Sequence, residues 1–114
     1  MEEIIMAMTM DSIRQAETWY DNACLGEVLR DEFRMGRFTP IPMDKLTDEQ
    51  FTLLTVDMNL SDMAMAEIFE TTTHFVKKRR DALKIPRGWD NLNMWFDSGR
   101  GPVDFKVLLK EISA

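Results

Sequence analysis

The sequence predicts an all-α fold, in which a central trihelical unit carries an N-terminal helical segment on one side and a C-terminal helix on the other. Three observations lead there. Apolar residues recur every three to four positions through most of the chain, the period of an amphipathic helix. Capping residues precede the apolar runs: Thr47 with Gln50 three positions on, then Ser61, then Thr71-Thr72-Thr73. Breakers separate the runs, at Gly36, Pro40, Pro42, Asn59 and Pro86. A chain of 114 residues, 45% hydrophobic, is long enough for one unstapled core. A single domain over 1–114 is expected, with an N-terminal helical segment at 11–36, a core at 45–85 and a C-terminal packing segment at 86–114.

In the first segment, Ile13, Ala16, Tyr20 and Cys24 share one helical face, and Leu25, Val28, Leu29 and Phe33 continue on a shifted one. Thr9 or Asp11 can cap its start. Gly26 sits where the stripe shifts, which predicts a kink or two abutting helices. Residues 37–43, with two prolines, read as an extended connector.

Three short helices follow. In the first, Phe51, Leu54 and Met58 form the stripe, with Leu53 at its edge. In the second, Met65, Ala66, Ile68 and Phe69 face inward. In the third, Phe75, Val76, Ala82 and Leu83 are buried, and the helix stops at Ile85-Pro86. Residues 89–96 form a short helix that packs Leu92, Trp95 and Phe96 onto the core. Residues 97–102 make a turn, and a last helix spans 103–112 with Pro102 near its first position.

The net charge is −6, but it is unevenly spread. Residues 44–70 hold seven acids against Lys45. Residues 71–88 hold Lys77, Lys78, Arg79, Arg80, Lys84 and Arg87 against Asp81. No apolar run approaches the ~18 residues of a membrane span. Glu2 and Glu3 stand where a signal peptide carries Lys or Arg. With one cysteine, no intramolecular disulfide forms. A cytoplasmic protein without membrane partners is expected. Most of the ten methionines read as core filler.

Two short helices joined by a three-to-four-residue turn, the second one basic, form the pattern of a helix-turn-helix. Ala66 lies inside the first helix, Phe69 three positions on, and Val76 ten positions on. Thr72, Thr73, His74, Lys77 and Lys78 open the second helix with polar groups. Residues 46–85 also resemble the trihelical Myb/SANT-like helix-turn-helix domains of phage and bacterial proteins, through an acidic first helix, the S-x-x-x-(I/L/A)-A-x-x-hydrophobic second helix, and the V-K-x-R-R-x-x-L third. The resemblance implies DNA binding through the third helix, carried here onto Thr73, His74, Lys77, Lys78 and Arg80. It also implies a phage origin. The chain departs from the family at Glu70, where glycine is usual, and at Thr71, where an aliphatic residue is usual. The turn then differs or carries strain.

The expected interface on double-stranded DNA is Thr72, Thr73, His74, Lys77, Lys78, Arg80, Lys84 and Arg87. Lysines and arginines on one face release counterions from phosphates. Hydroxyls and N–H groups at a helix start hold a phosphate oxygen. Arg79 falls toward the core edge and is expected to lie across it. In the competing reading the basic run is a solvated face, with pairs such as Lys77–Asp81. The second function considered is an acidic protein-binding inhibitor or adaptor that keeps the fold and docks a basic protein partner, a nucleic-acid enzyme, through Glu67 and Glu70.

No enzyme is read from the sequence. His74 is the only histidine and has no companion ligand, so neither a metal nor a cofactor is expected. Cys24, beside Tyr20, reads as core. Gly99-Arg100-Gly101 reads as a turn rather than a phosphate loop. Trp19, Trp89 and Trp95 are expected in the core. The Trp95-Phe96 pair next to Met94, and the N-terminal Ile4, Met6 and Met8, are candidates for a partner or homodimer surface.

Overall fold

Phe51, Leu54 and Met58 recur at helical intervals between the cap Thr47 and the breaker Asn59. In the computed structural model of the protein they form the centre of the core, each at 1% exposure or less. The structure describes residues 9–114, with side chains from residue 13 onward. The expected cap at Thr9 or Asp11 does not hold, since both residues already lie within the first helix, Thr9–Arg34; the apolar residues Ile4, Met6 and Met8 lie outside what is described.

Among the described residues, six helices follow in order. They are α1 (Thr9–Arg34), α2 (Asp48–Thr52), α3 (Asp62–Ile68), α4 (Thr73–Ala82), α5 (Trp89–Ser98) and α6 (Phe105–Ile112). A single 3₁₀ turn, Met43–Lys45, precedes α2, which widens into a π turn over Leu53–Asp57. The described residues contain no sheet, only an isolated antiparallel pairing of Pro40 with Ser113. The all-α class holds.

The caps fall where the sequence put them. Thr47 and Gln50 form a reciprocal capping box. The Ser61 hydroxyl accepts from Ala64 N–H and the Thr72 hydroxyl from Phe75 N–H. At the last helix the cap is Asp104, which accepts from Val107 N–H, so α6 begins at Phe105 and Pro102 lies ahead of it.

The N-terminal segment corrects the sequence reading. α1 runs unbroken through Gly26, with no second helix abutting it. Its buried line is Asn22, Gly26 and Leu29, with Trp19 and Phe33 half-buried at the same spacing. The expected face is turned outward: Ile13 is 51% exposed, Tyr20 64%, and Ala16 and Cys24 are exposed. The cause is a close approach. A Cβ on Gly26 would sit 2.7 Å from the Met58 carbonyl oxygen, so only glycine lets α1 press against the end of the π turn. Asn22 tolerates burial because both ends of its amide are used. Its Nδ2 donates to the Gly101 carbonyl and its Oδ1 accepts from Val103 N–H, which fixes the α5–α6 connection to α1.

α3 ends in a Schellman turn. Thr71 N–H donates to the Ala66 carbonyl at 3.0 Å, and Glu70 takes a left-handed φ of +50°. The expected strain at Glu70 is therefore present. Met65, Ile68 and Phe69 are buried as expected, while Ala66 is half-buried. α4 buries Val76 and half-buries Leu83. Phe75 at 45% and Ala82 are exposed, against expectation, because their positions lie on the flank away from Val76.

In α5, Trp95 is fully buried with Leu92 and Phe96 half-buried, whereas Trp89, the first residue of the helix, is 80% exposed. The extended connector is closed by the C-terminus. Ile41 N–H donates to the Ile112 carbonyl and Ala114 N–H to that of Thr39.

Candidate nucleic-acid interface

Helical geometry divides the basic run in two. Arg79 and Arg80 stand three and four positions after the buried Val76 and so return to its face. Lys77 and Lys78, one and two positions after it, point outward and are exposed.

Arg80 is 3% exposed. Its Nε donates to Asp62 Oδ1 at 2.8 Å, and its terminal nitrogens donate to the Pro86 and Leu60 carbonyls. Burial lowers its pKa, and the Asp62 carboxylate opposes that shift. Arg80 was expected among the DNA contacts. The structure instead commits it to joining the start of α3 to the end of α4. Arg79 donates to the Met43 and Leu46 carbonyls and to Asp48, and its guanidinium lies 5.0 Å over the Phe51 ring. Arg79 thus lies across the core edge, as its position predicts.

The remaining predicted residues are reachable. His74, Lys77, Lys78 and Lys84 are exposed; Thr72 caps α4 from an exposed position, and Thr73 is half-buried. Lys77, Lys78 and Lys84 form no ion pair among the described residues. The Lys77–Asp81 pair of the competing reading is not formed, and Asp81 leans instead toward Arg87 at 3.7 Å. Arg87 remains half in solvent while its Nε donates to Asp62 Oδ2 at 3.1 Å.

Thr73 and Lys77 open onto a groove of about 700 Å³ between the starts of α3 and α5 and the flank of α4. Asp62 lies in its wall, but both carboxylate oxygens face arginines. Asn91, 3% exposed, lines the groove as well. Its Nδ2 donates to the Thr55 carbonyl and to Asn59 Oδ1. Sequence reading missed Asn91, Asn59 and Met63 here, because none carries charge or period.

Glu67 and Glu70 decide how much negative charge faces this surface. Glu67 turns toward α1. Arg34 donates to both of its oxygens at 2.6 and 2.8 Å, and Arg30 donates to Oε1 at 3.1 and 3.2 Å. Those bonds, Arg34's first, hold the Glu67 carboxyl down to about 2. Arg30 and Arg34 were not singled out in the sequence. Their i,i+4 spacing on one face was the signal. Glu70 stays exposed at the turn before α4.

Among the described residues, no cluster of three or more histidine, cysteine or acidic side chains could hold a metal ion. No described helix is long and apolar enough to cross a membrane. No family model, curated protein or solved structure matches the chain.

Proposed function

We propose that this protein is a non-enzymatic, cytoplasmic regulator of the phage-encoded kind that binds double-stranded DNA, with α2–α4 acting as a helix-turn-helix and α4 as its reading helix. The observation that carries this reading is the outer face of α4, where His74, Lys77 and Lys78 stand exposed and both lysines lack ion-pair partners among the described residues. The withdrawal of Glu67 toward Arg30 and Arg34 supports it, because the nearest helix then adds no free carboxylate at that position. The same withdrawal weakens the adaptor reading, since Glu67 is already engaged within the molecule.

Lys77, Lys78, Lys84 and Arg87 contact phosphates, and Thr73 and Lys77 lie where the helix enters the major groove. Thr72 supplies the start of α4, whose first free N–H groups face a phosphate. One short helix reads few base pairs, so tight operator binding requires a homodimer.

A gel-shift titration with duplex DNA at several salt concentrations tests this. About four phosphate contacts give a log K against log salt slope of roughly −3 to −4. Lys78→Ala weakens all sequences alike and makes the slope shallower by about one. Absence of any shift at low salt with micromolar protein sinks the proposal.

A further inference from the structure

The apolar residues that α1 turns away from the core form a continuous surface. Ala16, Tyr20, Cys24 and Val28 follow at intervals of four, a ridge along the helix, and all are exposed. Ile13 lies at one end of the ridge and Met35, 64% exposed, at the other. Single exposed apolar residues are ordinary, but five aligned on one helix, with Met35 just past its end, are not. The opposite face of α1 is already committed to the core through Asn22, Gly26 and Leu29.

The borders of the ridge carry four acids, with the exposed Arg14 beside the first couple and Arg34, bound to Glu67, beside the second. At 100° per residue, Glu17 and Asp21 lie along one side of its N-terminal half, and Glu27 and Asp31 along the other side of its C-terminal half. All four are exposed, and none forms an ion pair among the described residues. Each couple stands at i,i+4, the spacing at which like charges repel. A second copy of α1 does not relieve this. Either orientation brings the same four acids from the second chain, and of the arginines on α1 Arg30 and Arg34 are already engaged with Glu67. A partner helix with lysines or arginines beside its own apolar stripe covers the ridge and neutralises both borders together.

The geometry points to the outer face of α1 as a docking surface for a basic amphipathic helix of a partner protein. This surface is independent of the α4 face, and neither proposal needs the other.

Cys24 lies mid-ridge and reports occupancy. The probes are two synthetic amphipathic helices roughly three heptads long. Both carry a leucine seam, one with lysine borders and one with glutamate borders. The lysine-bordered peptide at saturation slows alkylation of Cys24 about tenfold, and the glutamate-bordered one leaves it unchanged. Tyr20→Glu and Val28→Glu each abolish protection while the helical circular dichroism stays intact, because both side chains face solvent. Reversing the border with Glu27→Lys and Asp31→Lys transfers protection to the glutamate-bordered peptide. Three results overturn the proposal: no protection by either peptide, equal protection by both, or alkylation that slows with protein concentration alone, which would make a second copy the occupant.

Discussion

Lys77 and Arg80 are three residues apart in the chain, yet one faces solvent and the other is among the most buried side chains in the molecule. The difference sets separate tests. Arg80→Met leaves the Leu60 and Pro86 carbonyls without their donor and Asp62 with Arg87 alone, a loss of about 3 kcal/mol. Lys77→Ala and Lys78→Ala change stability by less than about 0.5 kcal/mol, as solvent-facing substitutions do. Chemical denaturation of the three variants measures this, and equal destabilisation by all three would refute the division. Gly26→Ala gains helix propensity of ~1 kcal/mol. It also forces a methyl into the Met58 carbonyl, a backbone atom that cannot swing aside. Overpacking costs about 1–3 kcal/mol, and a rigid backbone atom at 2.7 Å places this case in the upper part of that range, so the net effect is destabilising. A variant that melts above the parent would show that α1 does not approach the π turn this closely.

The elements were legible where local chemistry sets them. Hydroxyl caps place the starts of α2, α3 and α4 within a residue, because a cap acts through its own hydrogen bond, while the ends are less legible: α4 stops at Ala82, three residues short of Ile85. The face of α1 was not legible. Its buried line runs through Asn22 and Gly26, a polar residue and one with no side chain, while its solvent face carries Ile13, Tyr20 and Val28. Hydrophobic period marks what avoids water, and here part of that surface lies outside the core. The same limit applies to the candidate interface. Runs of charge are visible in sequence, but whether a given arginine turns inward depends on its angle from Val76 and on the acid that meets it. Glu70 was the clearest local signal. A non-glycine residue in the left-handed region costs roughly 1–2 kcal/mol, so Glu70→Gly stabilises by about 1 kcal/mol once the greater freedom of glycine in the unfolded chain is subtracted. Thermal melting detects the rise, and a fall would mean that the Glu70 side chain supports the turn in some other way.

Across the whole molecule, α1 is held to the rest by the packing of Leu29 and by three further devices: the Gly26 contact, the Asn22 amide, and the Arg30–Glu67–Arg34 triad. Only the triad titrates. Glu67 has a folded pKa of about 2 against an ordinary 4.5. A depressed carboxylate contributes stability that is fully present above its unfolded pKa and disappears as pH falls through its folded one. The contribution is therefore complete above pH 4.5 and lost as pH drops toward about 2. Asp57 works in the opposite sense. Burial raises its pKa above the ordinary 3.8, against the pull of Arg100, so its contribution to stability is greatest at low pH and falls as pH rises through the shifted value. A pH series on the parent alone mixes the two effects. The parent compared with Glu67→Gln isolates the triad, because Asp57 is common to both. The difference in melting temperature is expected to be constant near neutral pH and to close between pH 4.5 and about 2. High salt should narrow it throughout, since the three side chains are part-exposed. A difference that persists unchanged at the acid end would mean that Glu67 holds α1 by packing and neutral hydrogen bonds rather than by its charge.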